Sequence, residues 1–270
     1  MRRFLNAYRL LKLLITTNVR FQVARIIAKH MLEFDKIGLR GKRRLRILIV
    51  RFPLIATLYI MLFPAGLMWP RLFEYLFFLK HVKVVETKVM LDIGTGLSPI
   101  PALASLFFPK ARIIAMDLER GWMLEQKLGC SALGIQNVEM IIADCQHLPF
   151  RGESIDLVSC ISTIEHIEND FITIKEIEGV LTKGGLLILT TDYATDESKC
   201  FPYGRVYDES SLQSLIGCFE LCYKGYLTTL ARKIPPVIRS SIIINFITMI
   251  MVKLLKGRKA DIALIALRKR

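Results

Sequence analysis

The chain has 270 residues, 53% of them hydrophobic, with a mean hydropathy of +0.41 and a formal net charge of +14. That length holds one large domain with additions, or one domain and a small second one, and the apolar content exceeds what a soluble enzyme usually needs. The charge is segregated: residues 1–88 carry 18 Lys and Arg against 4 Asp and Glu, residues 89–208 carry 9 against 17, and residues 209–270 carry 11 against 3. An acidic globular centre between basic, greasy flanks argues against nucleic acid, which needs the charge without the grease, and for an anionic membrane surface.

The N-terminus, Met1-Arg2-Arg3-Phe4-Leu5, starts basic, but Lys12 breaks the apolar run and no small-residue cleavage site follows, so no signal peptide is expected. Through residues 1–46, Leu10, Leu11, Leu13, Leu14, Val19, Val23, Ile26 and Ile27 alternate with Arg9, Lys12, Arg20, Arg25 and Lys29 at helical spacing. One or two amphipathic helices are expected there, ended by Gly38 and Gly41 before the cluster Lys42-Arg43-Arg44-Leu45-Arg46. Residues 52–70 are uncharged and mostly apolar, near the ~20 residues of a membrane span. Pro53, Pro64 and Pro70 interrupt them. A span with the globular centre inside would also place the arginine-rich N-terminus outside, against the positive-inside rule. An interfacial helix or re-entrant hairpin therefore fits better than a single span, and a helical cap on the core is the third reading. Residues 71–79 form a further helix, in which Glu74 and Tyr75 either line a substrate pocket or, the preferred reading, are a surface Glu and a half-buried Tyr.

The first strand is expected over 88–93, a buried parallel run ending near Asp92. Gly94 and Gly96 then turn the backbone tightly, and a helix over 98–108 aims its free N–H groups at the same spot. Ligands of open α/β sheets bind at the carboxyl ends of strands, where Asp92 is placed to accept hydrogen bonds from a cationic or hydroxylated ligand. A second strand over 111–116 ends at Asp117, followed by a helix over 119–130. A third strand over 138–143 ends at Asp144, a fourth covers 154–160, and a helix follows over 170–181. Gly184-Gly185 turns into a fifth strand over 186–191. This alternation implies a parallel sheet with right-handed crossovers. A helix over 208–216, a strand over 219–227 and a final strand over 261–267 complete it. Between the last two, residues 228–260 form a helical insertion whose apolar centre, 242–252, is flanked by Arg239 and by Lys253, Lys256, Arg258 and Lys259. It is too short to span a bilayer and reads as an interfacial helix or a homodimer interface.

The six cysteines are Cys130, Cys145, Cys160, Cys200, Cys218 and Cys222. None forms a C-x-x-C pair, so no metal site is expected, and buried free thiols in a reducing compartment are the preferred reading.

Seven segments taken in order resemble the class I S-adenosylmethionine-dependent methyltransferases, in particular the small-molecule group called type 11. They are Leu91-Asp92-Ile93-Gly94-Thr95-Gly96, Met116-Asp117-Leu118, Ala143-Asp144-Cys145, Leu148-Pro149-Phe150, Ser154-Ile155-Asp156-Leu157-Val158-Ser159, Ile164-Glu165-His166-Ile167 and Leu181-Thr182-Lys183-Gly184-Gly185-Leu186. The resemblance runs from about residue 71 to the C-terminus, the insertion excepted. It implies a doubly wound α/β fold, a seven-stranded, mostly parallel Rossmann-like methyltransferase sheet with an antiparallel last strand. Residues 1–87 then form an N-terminal helical extension, and residues 88–270 the methyltransferase domain with its insertion before the last strand. S-adenosyl-L-methionine is the implied cofactor. By the same resemblance Gly94, Thr95 and Gly96 pack on its methionine part above Asp92, Asp117 with Leu118 takes the ribose hydroxyls, Asp144 and the Cys145 backbone hold the adenine, and Ser162 joins the cofactor-binding set. Ser98 stands where a third glycine is common in the family.

His166 is either a general base that takes a proton from an attacking hydroxyl, or a residue that caps the next helix or fills space beneath the cofactor. Aspartates in loops also form turns and helix caps, but Asp117 and Asp144 at successive strand ends favour the ligand role. Pro99 stands where a dinucleotide fingerprint needs its third glycine, which sets a nicotinamide oxidoreductase aside. Cys160-Ile161-Ser162-Thr163 lacks the proline-aromatic motif that stacks a flipped base, which sets a nucleic-acid methyltransferase aside. A membrane scaffold without catalysis is a fourth reading, disfavoured by the retained cofactor residues. The expected function is methyl transfer to a small, lipid-linked or amphipathic acceptor, by a cytoplasmic protein lying peripherally on the inner face of a membrane.

Overall fold

The computed structural model describes residues 68–82, 86–132, 134–194, 204–226 and 260–270. The expected amphipathic helices of 1–46, the apolar stretch 52–70 save its last three residues, the helix of the insertion and Cys200 lie outside them.

The fold is built on short apolar strands that alternate their side chains between two covered faces. In β1 (Val89–Ile93), Leu91 and Ile93 enter one core cluster and Met90 the other, the period of two that a strand dictates. The Leu91 face is covered by α4 (Asp170–Val180) and α5 (Glu209–Ile216), through Ile174, Ile177, Leu212 and Leu215. The Met90 face is covered by α1 (Met68–His81), α2 (Ile100–Phe107) and α3 (Arg120–Ala132), through Phe77, Phe78, Leu103, Ala104 and Cys130. Strands buried on both faces read as near-continuous hydrophobic runs, as these do.

The remaining strands are β2 (Arg112–Asp117), β3 (Val138–Ile142), β4 (Ile155–Ile161), β5 (Leu181–Ala194), β6 (Phe219–Tyr226) and β7 (Ala260–Lys269). They form one seven-stranded sheet in the order β3-β2-β1-β4-β5-β7-β6. β1 lies between β2 and β4, both parallel to it, with Asp92 opposite Ala115 on one side and Ser159 on the other. β7 is antiparallel to both β5 and β6. The doubly wound, mostly parallel sheet expected from the sequence is the sheet observed. Among the described residues, no helix is long and apolar enough to cross a membrane.

Two boundaries move for physical reasons. α2 begins at Ile100, not at 98, because Pro99 occupies the N-cap and the Ser98 hydroxyl accepts the Ile100 N–H at 3.2 Å. β5 begins at Leu181, not at 186, because the ladder to β4 steps from Ile155–Leu181 to Leu157–Leu186. The Gly184-Gly185 stretch is therefore a bulge inside the strand, where a turn before it was expected.

Candidate active site

The turn after β1 is shaped by two glycines at positive φ, 65° for Gly94 and 50° for Gly96. A Cβ on Gly94 would stand 2.1 Å from Thr163 Cγ2, so the close approach as well as the φ requires glycine. The turn is tied to the neighbouring strand by the Thr95 N–H, which donates to the Met116 carbonyl at 3.1 Å.

Beneath the turn lies Asp92, 1% exposed. Its Oδ2 accepts from the Thr95 hydroxyl at 2.8 Å and its Oδ1 from the Ser159 hydroxyl at 2.5 Å. Burial pushes the carboxyl up to about 7, against the opposing effect of those two hydrogen bonds. Both oxygens are held by the chain's own hydroxyls. The expectation that Asp92 offers its oxygens to a ligand is corrected to a buried pillar: as the penultimate residue of β1 it points into the sheet face. Ser159, its partner, was not singled out from the sequence; its signal was a hydroxyl amid the apolar residues Leu157, Val158, Cys160 and Ile161 of β4.

Asp117, the last residue of β2, is placed differently. Its Oδ2 accepts the Gly96 N–H at 2.8 Å and its Oδ1 the Glu119 N–H at 3.0 Å. The carboxylate thus stands between the glycine turn and the start of α3, with Leu118 beside it 66% exposed. From α3, the Trp122 ring comes within 3.5 Å of where a Gly96 Cβ would be. Gln126 donates from Nε2 to the carbonyls of Gly96 at 3.2 Å and Ser98 at 2.5 Å. Its Oε1 is buried without a hydrogen-bond partner among the described residues. Sequence reasoning missed Gln126; a polar side chain on the buried side of an amphipathic helix was the available signal.

After β3, Asp144 accepts the Gln146 N–H at 2.9 Å and folds the loop as an Asx turn. The Cys145 thiol is pushed up by burial and lies 3.8 Å from the Thr173 hydroxyl of α4. Of the cysteines expected to be buried, Cys130 and Cys160 are, Cys145 and Cys218 are half-buried, and Cys222 is exposed; all five are free.

After β4, Ser162 adopts φ 42°, uncommon for a residue with a side chain. Its N–H donates to the Thr190 carbonyl and hydroxyl, at 3.0 and 2.9 Å, and its hydroxyl donates to Glu74 Oε1. Glu74 also accepts from the Thr190 hydroxyl at 2.7 Å and is fully buried. The preferred expectation of a surface glutamate is overturned: Glu74 fastens α1 to the loop that carries Ser162. Tyr75 is half-buried, as expected.

His166 ends a short 3-10 helix, Ile164–His166, with an exposed side chain whose Nδ1 would meet a Cβ on Gly204 at 3.0 Å. The residue flanking α4 is Asn169, so His166 does not cap that helix. Nearby, buried Asp170 is ion-paired with Arg205 and accepts the Tyr207 hydroxyl at 2.6 Å. The Arg205 N–H in turn donates to the Glu165 carbonyl at 2.7 Å, which fixes residues 204–207 against the 3-10 helix.

All of the sequence-selected residues therefore gather along the carboxyl edge of the sheet. Gly94, Thr95, Gly96, Asp117 and Leu118 follow β1 and β2, Asp144 and Cys145 follow β3, and Ser162 and His166 follow β4. Such an edge, with a glycine turn, a carboxylate against it and exposed apolar side chains beside both, suits a ligand that is part sugar and part aromatic ring.

The family description "methyltransferase domain" matches residues 91–189, the span from the β1 turn into β5. Fold, site and match define this part of the chain as a class I S-adenosylmethionine-dependent methyltransferase domain. Among known proteins, the chain is similar to the malonyl-[acyl-carrier protein] O-methyltransferase of Legionella pneumophila subsp. pneumophila, at 32% identity over 124 residues, 45% of this chain and 40% of that protein. The chain thus spans less than half the length of this curated relative. Among solved structures it resembles the [4+2]-cyclase SpnF, with a TM-score of 0.59 and 17% identity over 74% of this chain and 80% of that one. It also resembles the geranyl diphosphate C-methyltransferase of Streptomyces coelicolor A3(2), solved with Mg2+, geranyl diphosphate and S-adenosyl-L-homocysteine. There the TM-score is 0.56 at 12% identity, over 68% of this chain and 74% of the other. At these identities the structural likeness is one of fold, and a cyclase among the neighbours makes plain that the fold alone does not choose the reaction.

Proposed function

We propose that the protein transfers a methyl group from S-adenosyl-L-methionine to a small amphipathic or lipid-linked acceptor at a membrane surface. The observation that carries the cofactor part is Asp117, whose carboxylate is clamped by the Gly96 and Glu119 N–H groups and keeps lone pairs for a ribose diol. The residues fit the cofactor. Gly94 and Gly96 leave the backbone bare for the methionine part, Leu118 offers an exposed apolar surface and Asp144 a polar one for the adenine, and Ser162 is held beside the turn by Glu74. Asp92 and Cys145 support these groups from beneath.

When bound, the cofactor supplies a methyl group already activated on a sulfonium, which leaves as a neutral thioether and needs no acid. The tasks left to the chain are to align the acceptor in line, to exclude water and, for a hydroxyl acceptor, to remove one proton. His166, exposed on the carboxyl edge, is the group for that proton; its replacement slows transfer to a hydroxyl and spares an acceptor that ionises without help. The acceptor class rests on the greasy, basic flanks of the chain and on geranyl diphosphate as the ligand of a structural neighbour, an apolar chain on an anionic head.

Untargeted profiling of a deletion strain tests this. The expected result is a species in the lipid extract that accumulates lighter by one methyl group than the product it replaces. A change confined to water-soluble metabolites, or none at all, would contradict the amphipathic acceptor.

A further inference from the structure

Strand direction decides where the undescribed parts of the chain join the body. β6 is antiparallel to β7 and β7 to β5, so β6 runs the same way as the parallel strands. It ends at Tyr226 on the carboxyl edge, and β7 starts from Ala260 on that same edge. The segment between them, residues 227–259, carries seven Lys and Arg and no Asp or Glu, and both its ends are anchored there.

The other basic segment joins at the same edge. α1 lies with Glu74 beside Ser162 and Thr190, level with the carboxyl end of β4. Phe77 and His81, further along the helix, stack against Tyr223 at centroid distances of 5.4 and 5.0 Å, level with the middle of the sheet. The helix therefore descends from the carboxyl edge. Met68, six residues before Glu74 and about 9 Å further along the axis at 1.5 Å per residue, stands beyond that edge. Residues 1–67, with 14 Lys and Arg against 2 Asp and Glu, enter there.

Five of the seven large apolar side chains exposed among the described residues, all but Leu124 and Leu221, fit the same pattern. Leu118, Trp122, Ile142, Phe171 and Ile172 all end a strand or open a helix on the carboxyl edge. The first three adjoin the cofactor site and are accounted for by it. Phe171 and Ile172, 52% and 45% exposed in the first turn of α4, belong to no site residue described above.

From these placements, and resting on the membrane reading above, we propose that the carboxyl edge is the face that docks on an anionic lipid bilayer, with Phe171 and Ile172 entering the interface. The charge argues for this occupant. Residues 89–208 are net acidic and are repelled by anionic lipid, whereas both attracting segments are attached at one edge. Docked in this way, the site opens towards the bilayer, so an acceptor reaches it from the lipid without crossing bulk water.

The test uses the full chain and sedimentation with vesicles of phosphatidylglycerol and phosphatidylcholine at low salt. The double variant Phe171→Ser with Ile172→Ser is expected to lower the vesicle-bound to free ratio at least tenfold, the lower end of what burying the exposed halves of two apolar side chains supplies. Leu221→Ser, which removes an equally exposed side chain from the outer strand away from the edge, is expected to change it less than twofold. Both variants should bind S-adenosyl-L-methionine like the wild type, which establishes that they fold. Equal losses in the two, or none in the double variant, would overturn the docking face while leaving membrane association in place. Failure of the wild type to sediment would overturn both, and would leave the methyl-transfer reading untouched.

Discussion

Asp92 and Asp117 stand near the ends of neighbouring strands, but Asp117 lies two positions beyond Ala115, the partner of Asp92, and the two do opposite work. Asp92 points into the sheet, where two hydroxyls occupy it, and burial lifts its carboxyl from 3.8 to about 7. A carboxyl that binds its proton more tightly in the folded chain than in the unfolded one stabilises the fold most at low pH. That contribution is complete below about pH 4, is lost as the pH rises towards 7, and is constant above that. The span corresponds to roughly 4 kcal/mol at 1.36 kcal/mol per unit. Asp92→Asn keeps the shape and removes the titration, so its melting temperature should fall less than that of the wild type between about pH 4.5 and 7.5. Parallel melting curves across that range would contradict the buried, proton-holding Asp92.

At the scale of elements, α1 joins the sheet through the buried Phe77 and Phe78 and through one buried carboxylate, Glu74. Glu74→Ala leaves the Ser162 and Thr190 hydroxyls without their shared acceptor. The expected cost is about 1–3 kcal/mol in urea unfolding, with Glu74→Gln closer to the wild type. The strands and their order of appearance were legible in the chain because apolar runs ending in Asp92, Asp117 and Asp144 mark buried parallel strands without help from distant residues. The start of α5 was legible for a local reason too: Asp208 caps it, accepting the Ser211 N–H at 2.7 Å. Glu74 was not legible, because its partners lie 88 and 116 residues away and a glutamate amid apolar helix residues gives no sign of them. The bulge in β5 was hidden likewise, since Gly184-Gly185 has the composition of a turn and only pairing with β4 shows the strand continuing. At the site, the positions of the acidic residues could be read, but their orientation could not: whether an aspartate faces its neighbour strand or the glycine turn depends on where the strand ends.

Across the whole molecule, the acidic body and the basic segments are separated in the chain and rejoined at one edge. The attraction of those segments to anionic lipid is screened with a Debye length of about 10 Å at 0.1 M salt and 3 Å at 1 M. Vesicle binding should therefore weaken steeply as salt rises and fall again when residues 1–67 are removed. Binding that resists salt would assign the association to apolar insertion alone.

The central claim, a methyltransferase cofactor site at the glycine turn after β1 and the end of β2, is tested most directly by calorimetric titration of S-adenosyl-L-methionine into the wild-type chain and Asp117→Ala. The wild type should bind one equivalent, and Asp117→Ala, which loses a charged acceptor worth about 1.5–3 kcal/mol, should bind at least tenfold more weakly while the free protein still melts cooperatively. Equal affinity in the two proteins, or no binding by the wild type, would contradict the assignment.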